Sequence, residues 1–101
     1  MKYVYLIKSK ETQLYKIGIA TNPYKRIKNL QTGNAELLEI IHTYKTINYN
    51  NIEKALHNQF SYIRKNGEWF DFDVDIELNF LKYCKLFDDN ITLIKNNSAY
   101  I

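Results

Sequence analysis

The sequence predicts an α+β fold in which a small three-stranded antiparallel sheet is flanked by about three helices. Two observations predict this class. Residues 3–7 and 14–20 are apolar and β-branched, and the polar stretch 8–13 between them is short enough to join them as a β-hairpin. Asn22 and Pro23 then supply the N-cap and first position of a helix. The complete order, ββαβα followed by a turn and a last helix, is typical of helices packed on an antiparallel sheet.

The first helix is expected to span residues 23–32. Tyr24, Ile27 and Leu30 share one side of it, which we expect to face the sheet. Gly33 follows as a natural C-terminal stop. The apolar residues after it predict a third strand over 36–46.

Two more helices are predicted in the second half. Apolar residues follow a period of about 3.6 from residue 51 to about residue 64, and 65–67 break this pattern. Asp73 or Asp75 provides a cap for a third helix that reaches about residue 88. In the tail, 91–94 forms a candidate short strand, and the end of the chain is expected to fray.

Composition narrows the class of protein. The 101 residues, 46% of them apolar, predict one globular domain over residues 1–101. No apolar run approaches the ~20 residues of a membrane span, and the N-terminal segment lacks a signal-peptide layout. We therefore expect a soluble intracellular protein, cytoplasmic or in a host cytoplasm. The single cysteine, Cys84, excludes an internal disulfide and is expected in the core.

Charge is unevenly distributed along the chain. Residues 1–65 hold eleven Lys or Arg against four acids, a net +7, whereas residues 66–101 hold three against seven, a net −4. A basic half of this kind is what a phosphate-binding surface requires. Charge alone does not distinguish it from an ordinary solvated surface.

A candidate polar site lies on the second predicted helix. Glu53 is the only acid there and sits at the border of the buried stripe; His57 follows one turn later, and Arg64 continues the same edge. A carboxylate beside an imidazole is suited to a metal or proton-transfer site. Spacing alone favours an ordinary surface pair.

Three separated segments, YVYLI at 3–7, PYKRI at 23–27 and NIEKALH at 51–57, resemble the GIY-YIG nuclease module over roughly the first 70 residues. In that family a tyrosine, a helix arginine and a later helix glutamate form the active centre, and Tyr5, Arg26 and Glu53 match them. The resemblance implies hydrolysis of DNA phosphodiesters. Tyr5 would position or activate water, Arg26 would stabilise the phosphate, and Glu53 would hold Mg²⁺ or Mn²⁺, which need few protein carboxylates.

The second motif differs from the family pattern. Lys16 occupies the second tyrosine position of YIG, Tyr15 faces the opposite side of its strand, and Tyr3 replaces the first glycine. This KIG form is similar to a branch common in phages and large viruses that is usually described as a DNA-binding domain. That branch also carries the Glu-His pair of EKALH and the GEWF segment at 67–70.

The lysine changes the expected chemistry. Lys16 would hold a phosphate oxygen as a point charge, or act as a base if burial removed its proton. His57 is our candidate for the missing proton-transfer function. On this hypothesis, His57→Ala abolishes cleavage and leaves DNA affinity nearly unchanged.

Other polar and aromatic residues receive more ordinary predictions. Trp69, Phe70 and Phe72 are expected to close the core, and His42 to be structural. Glu68 either braces the site or is a simple surface acid.

Three functions remain in competition. The first is a metal-dependent DNA endonuclease with Mg²⁺ or Mn²⁺ and no organic cofactor, acting as a monomer or weak homodimer. The second is a catalytically inactive DNA-binding module of the same fold, and the third is an interaction domain without nucleic acid. The residues expected to contact DNA are Lys16, Lys25, Arg26, Lys28 and Arg64.

Overall fold

All five strands of the computed structural model, which describes residues 1–98, join one antiparallel sheet. The strands are β1 (Lys2–Ser9), β2 (Tyr15–Ala20), β3 (Leu38–Thr46), β4 (Arg64–Asn66) and β5 (Trp69–Phe70). The helices are α1 (Pro23–Thr32), α2 (Tyr49–Gln59) and α3 (Val74–Ser98), with a 3₁₀ turn at Ser61–Ile63. The spatial order β3-β1-β2-β5-β4 confirms the α+β class and the opening hairpin. Within the described range, none of these helices combines the length and apolar character needed to cross a membrane.

The prediction of three strands was wrong, because a short hairpin of β4 and β5 extends the sheet beyond β2. The second helix ends at Gln59 rather than near residue 64. Phe60 is buried there against the rings of Phe72 and Tyr83, at 4.9 and 5.2 Å between centroids, and this anchor turns the chain. Gly67, with a φ of +54°, then makes the tight reversal between the two strands. Arg64 consequently lies on a strand and not on a helix.

The start of α1 follows the sequence prediction, but its buried side does not. The Asn22 Oδ1 atom accepts a hydrogen bond from the Lys25 backbone N–H at 3.1 Å, and Pro23 occupies the first turn. Ile27 and Leu30 pack against the sheet as expected. Tyr24, predicted to be buried, is 67% exposed. The reason is that Pro23 takes the buried position in this turn.

Asp73 caps α3 as predicted, since its Oδ1 atom accepts from the Ile76 backbone N–H at 2.9 Å. The short strand predicted at 91–94 was wrong, because α3 continues without interruption to Ser98. Ile91 packs on the core, and Thr92 accepts a hydrogen bond from the Asn48 side chain at 3.2 Å. These contacts hold the segment in helical register. The fraying expected at the chain end falls in part on residues 99–101, outside the described residues.

Strand alternation divides the core between the two faces of the sheet. Val4 and Leu6 contact the side covered by α2 and α3, whereas Tyr5 and Ile7 contact the side covered by α1. Cys84 is fully buried in the larger cluster, as predicted, and burial raises the pKa of its thiol to about 12.

The aromatic segment and His42 also take structural positions. Phe70 and Phe72 lie in the core as predicted, and Trp69 is partly buried against the α1 side. His42 is structural as predicted, with Nε2 2.9 Å from the Glu77 carbonyl oxygen and its ring stacked on Phe80.

Asp88 joins α3 to the rest of the fold and gives the first testable prediction. Its carboxylate accepts hydrogen bonds from Asn48 Nδ2 and the Tyr44 hydroxyl, both at 2.7 Å, and from Thr46 at 3.2 Å. Burial acts to raise the pKa of Asp88, but these three hydrogen bonds outweigh it and the pKa is lowered. A lowered pKa adds stability above the unfolded-state pKa, and that stability is lost as pH falls through the folded-state pKa.

We therefore expect Asp88→Ala to reduce the free energy of unfolding by about 2–3 kcal/mol at neutral pH, since it leaves buried donors without a partner. Urea unfolding at neutral and acidic pH should show the difference shrinking in acid. Asp89→Ala is the control, because Asp89 is exposed and forms a surface ion pair with Lys85 at 3.3 Å. An Asp88→Ala protein as stable as wild type at neutral pH would contradict this role.

Candidate functional site

The candidate site lies at the start of β5, where its pairing with β2 stops and the edge of β2 becomes open. Lys16 is the last β2 residue paired with β5, opposite Trp69. The next backbone carbonyl, that of Ile17, lies 3.1 Å from Nε2 of His57 on α2. This hydrogen bond attaches α2 to the edge of β2, next to Lys16, the lysine of the KIG motif.

Lys16 is paired with Glu68, the second residue of the β4–β5 turn. Its Nζ atom lies 2.9 Å from Oε2 of Glu68 and 5.9 Å from the centroid of the Trp69 ring. The Lys16 side chain is only 16% exposed and that of Glu68 is 54% exposed, so water is excluded mainly from the lysine side of this ion pair. The hydrogen bond from Lys16 lowers the pKa of Glu68 against the effect of burial, and the charges of His57 and Arg26 lower it further.

Glu53 is half-buried one helical turn before His57. Burial raises the pKa of Glu53; His57 and Lys16 act to lower it and Glu68 to raise it. Its carboxylate makes no hydrogen bond or ion pair with any of residues 1–98. A partly desolvated carboxylate near a second carboxylate is a favourable position for a cation.

The donor set fits an open divalent-metal site and not a closed one. Across residues 1–98, no group of three or more His, Cys, Asp or Glu side chains is arranged to hold a metal. Glu53 and Glu68, which interact electrostatically, are the two carboxylates at the site. Mg²⁺ is commonly held by one or two carboxylates, with water and substrate phosphate oxygens completing the shell. The residues present therefore fit a metal that is completed by its substrate.

Tyr5 lies under this edge, with its ring against Gly18. The two residues are cross-strand partners, and Tyr5 is only 2% exposed. Its hydroxyl makes no hydrogen bond to the described residues, and no fully enclosed side-chain polar atom among them lacks a partner. The hydroxyl therefore retains contact with solvent, beside the backbone of the KIG motif.

Close approach explains the glycine of the KIG motif and gives a prediction. A Cβ atom at position 18 would lie 2.3 Å from the hydroxyl oxygen and 2.5 Å from Cζ of Tyr5. We expect Gly18→Ala to lower the free energy of unfolding by about 1–3 kcal/mol through overpacking and to displace the Tyr5 hydroxyl. The double variant Gly18→Ala, Tyr5→Phe, measured by urea unfolding, should recover part of the loss. Gly33→Ala is the control, since a Cβ there meets nothing within 4 Å. Equal stability of Gly18→Ala and wild type would contradict this contact.

Arg26 is exposed on α1 and borders an open groove of about 400 Å³. Lys25 lines the same groove, whereas Lys28 is exposed elsewhere on the helix. The charge of Arg26 contributes to lowering the pKa of Glu68, so Arg26 interacts electrostatically with the partner of Lys16. The fold thus brings Lys16, Arg26, Glu53 and His57 to one edge, and leaves Lys28 outside that group.

His57 is held at both ring nitrogens. Because a carbonyl oxygen can only accept, Nε2 carries the proton that is donated to Ile17. In the neutral imidazole Nδ1 is an acceptor, and it lies 3.5 Å from Nη2 of Arg64. Arg64 also covers the ring of Phe70 at 5.6 Å, and His57 meets that ring edge-on at 5.1 Å. These contacts give His57 an anchoring function between α2 and the strand edge.

The sequence pattern allows two roles for Glu68, a brace of the site or a simple surface acid. Its position depends on the β4–β5 hairpin, which the predicted order of elements does not contain. The signal was the pair Asn66–Gly67, since an Asn-Gly pair next to apolar and aromatic residues is typical of a tight hairpin turn.

Comparison with known families gives one match. The model of the T5orf172 domain matches residues 2–85. This is a phage-associated domain related to DNA-binding modules of the GIY-YIG and HNH-like kinds. Neither the curated proteins nor the solved structures include a significant match to the chain.

Proposed function

Because the chain belongs to the T5orf172 family, whose character points to a DNA-binding or nuclease-like role, we propose that it is a metal-dependent DNA endonuclease of the GIY-YIG type. The observation that carries the proposal is the grouping of Glu53, Lys16 and Arg26 at the open edge of β2. Glu53 is a partly desolvated carboxylate, and the two cations lie within electrostatic range of its neighbour Glu68. Phosphodiester hydrolysis needs both kinds of charge at one place.

DNA binding is assigned to the cations that border the α1 side of this edge. Lys25 and Arg26 line the open groove, which we assign to a phosphate of the DNA backbone. The guanidinium of Arg26 has the planar fork that suits phosphate oxygens. Lys16 would exchange its contact with Glu68 for one with a phosphate oxygen, which would release the Glu68 carboxylate at the same moment.

Hydrolysis is assigned to a small group of side chains. The Tyr5 hydroxyl would position the attacking water, and Arg26 and Lys16 would stabilise the negative charge that develops on the phosphate. Glu53 would hold Mg²⁺ or Mn²⁺, with the released Glu68 as a second carboxylate. A bound ion of this kind supplies Lewis-acid polarisation of a phosphoryl oxygen and assists departure of the leaving group.

We assign His57 to positioning, which its contacts support more directly than proton transfer. Its Nε2 proton holds α2 on the Ile17 carbonyl, one turn from Glu53. We expect His57→Gln to keep at least about one tenth of the cleavage rate, because an amide N–H can replace the Nε2 donor. His57→Ala should lose much more, with a weaker response to Mn²⁺ concentration. Single-turnover rates over a range of Mn²⁺ concentrations test this. Complete loss in His57→Gln with DNA affinity unchanged would instead establish a proton-transfer role.

A catalytically inactive DNA-binding module is the second candidate, and one observation favours it. Lys16 stands at the second tyrosine position of the GIY-YIG pattern, and its Nζ atom is paired with Glu68 at 2.9 Å. The site therefore lacks one tyrosine hydroxyl and has an ion pair in its place. In such a protein the edge would bind phosphate without hydrolysing it.

Supercoiled plasmid distinguishes these functions. Wild-type protein is incubated with plasmid in Mg²⁺, in Mn²⁺ and in EDTA, and retention of the same DNA is measured in parallel by gel shift. Metal-dependent relaxation or linearisation is the expected result. Retention without cleavage would support the binding module. Absence of both, with protein that is folded by circular dichroism, would contradict a DNA function and favour an interaction domain.

A further inference from the structure

A second open groove, of about 590 Å³, lies beside the candidate site on the α1 side of the sheet. Tyr3 and Thr43 supply its floor, since both belong to strands of the sheet. The start of α1 supplies its wall. The residues that line it are Tyr3, Thr21, Asn22, Pro23, Tyr24 and Thr43. We call it the Tyr3–Tyr24 groove.

Two aromatic rings border this groove without covering one another. Tyr24 is 67% exposed, and neither it nor Tyr3 stacks on another ring among residues 1–98. The Nζ atom of Lys45 lies 5.9 Å from the centroid of the Tyr3 ring. Lys45 is the cross-strand neighbour of Tyr3 and places a positive charge next to the aromatic surface of the groove. Exposed rings beside cations are what proteins use to stack the bases of unpaired nucleic acid.

The groove is continuous with the place assigned to the phosphate. Thr21 and Asn22 line both this groove and the one that Arg26 borders. Tyr3 is two residues from Tyr5 on the same face of β1, a separation of ~6.6 Å at the usual strand rise. One DNA strand advances ~3.4 Å per nucleotide along a duplex. A base held at Tyr3 would thus lie within about two nucleotides of a phosphate at Tyr5.

We propose that the Tyr3–Tyr24 groove is a stacking subsite for an unpaired nucleobase, so that the preferred ligand is DNA with a bulge, flap or single-stranded segment next to the bound phosphate. A base inside a paired duplex has both faces covered by its neighbours and cannot use these rings. Thr21, Asn22 and Thr43 offer hydrogen-bonding groups to the edge of an unpaired base. This inference rests on the proposed DNA binding at Arg26, but not on hydrolysis.

The test measures binding in EDTA, so that cleavage plays no part. Fluorescence anisotropy compares a labelled duplex with the same duplex carrying one bulged nucleotide, for wild type, Tyr24→Ala and Tyr24→Phe. Tyr62→Ala is the matched control, because Tyr62 is 75% exposed and lines neither groove. Wild type should prefer the bulged DNA. Tyr24→Ala should lose about 5- to 100-fold of its affinity for the bulge, the range expected for one stacked base, with a change below about twofold on the paired duplex.

The conservative variant and a spectroscopic signal separate stacking from other effects. Tyr24→Phe and Tyr62→Ala should keep the preference for the bulge. With 2-aminopurine as the bulged base, its fluorescence should be quenched by wild type and much less by Tyr24→Ala or Tyr24→Leu. Equal losses on both DNAs, or unchanged binding of the bulge by Tyr24→Ala, would overturn the inference.

The experiments distinguish a contradiction of the stacking subsite from a contradiction of the endonuclease proposal. Selective binding of the bulge without metal-dependent cleavage would retain the subsite and remove the endonuclease. Cleavage of plasmid with no preference for the bulge would retain the endonuclease and remove the subsite. If wild type binds neither DNA, both proposals are overturned.

Discussion

Replacing Glu53 by Gln is expected to reduce metal-dependent cleavage to the level of the EDTA control. The amide keeps the size of the side chain but removes the one carboxylate at the site that has no hydrogen bond or ion pair with residues 1–98, and a divalent ion requires anionic oxygen there. The fold should not suffer. Burial raises the pKa of Glu53, so the folded chain holds this proton more tightly than the unfolded chain. Ionisation of Glu53 therefore lowers the free energy of unfolding as pH rises through the folded-state pKa. At neutral pH, Glu53→Gln should melt at the wild-type temperature or slightly above it.

A matched control isolates the role of this carboxylate. Glu39→Gln removes an equal charge from an exposed pair with Lys10, at 3.6 Å, on β3. Its cleavage rate and melting temperature should remain close to those of wild type. Loss of cleavage in both variants would indicate a general effect of charge. Loss of folding in Glu53→Gln would contradict the stability effect assigned to this half-buried carboxylate.

Arg26→Ala is expected to lower the single-turnover cleavage rate by about 10²- to 10³-fold, the usual effect of removing one group that stabilises transition-state charge. DNA affinity should fall much less, because Lys25 remains in the same groove. Arg26→Lys should recover only part of the rate, since an ammonium cannot reproduce the planar fork of the guanidinium. The measurement is the single-turnover rate at saturating protein, with the dissociation constant determined separately in EDTA.

Lys28→Ala provides the comparison on the same helix. It removes one positive charge that lies outside the Arg26 groove. Its effect should be a modest loss of affinity that diminishes as salt is added, because it removes a long-range charge. Equal losses of rate in Lys28→Ala and Arg26→Ala would mean that Arg26 acts only through the net charge of the surface.

The elements that were predicted correctly are those whose sequence signals lie within the element or directly beside it. The first hairpin has apolar runs on both sides of a short polar loop, and α1 has both an Asn cap and a proline at its start. The missed hairpin has strands of only three and two residues, too short for an apolar pattern to be recognised. The length of α3 was missed for another reason. Its last turns depend on the hydrogen bond between Asn48 and Thr92, which are distant in sequence.

The candidate site shows the same division. Tyr5, Arg26 and Glu53 were chosen by resemblance, and their surroundings depend on tertiary contacts. Helical periodicity placed Tyr24 with Ile27 and Leu30, because it does not register that Pro23 takes the buried position in the first turn. The pairing of Lys16 with Glu68 required the hairpin, and the anchoring of His57 required an open carbonyl at Ile17. A sequence pattern specifies which residue types are present, whereas these contacts depend on which strand edge is left open.

The most direct test of the central claim is the single-turnover cleavage rate of plasmid DNA as a function of Mn²⁺ concentration, for wild type and Glu53→Gln at saturating protein. The account predicts a wild-type rate that rises with Mn²⁺ and saturates, and a Glu53→Gln rate that stays at background throughout. A Glu53→Gln protein that reaches the wild-type rate at the same Mn²⁺ concentrations would contradict the assignment of the metal to Glu53 and the account built on it.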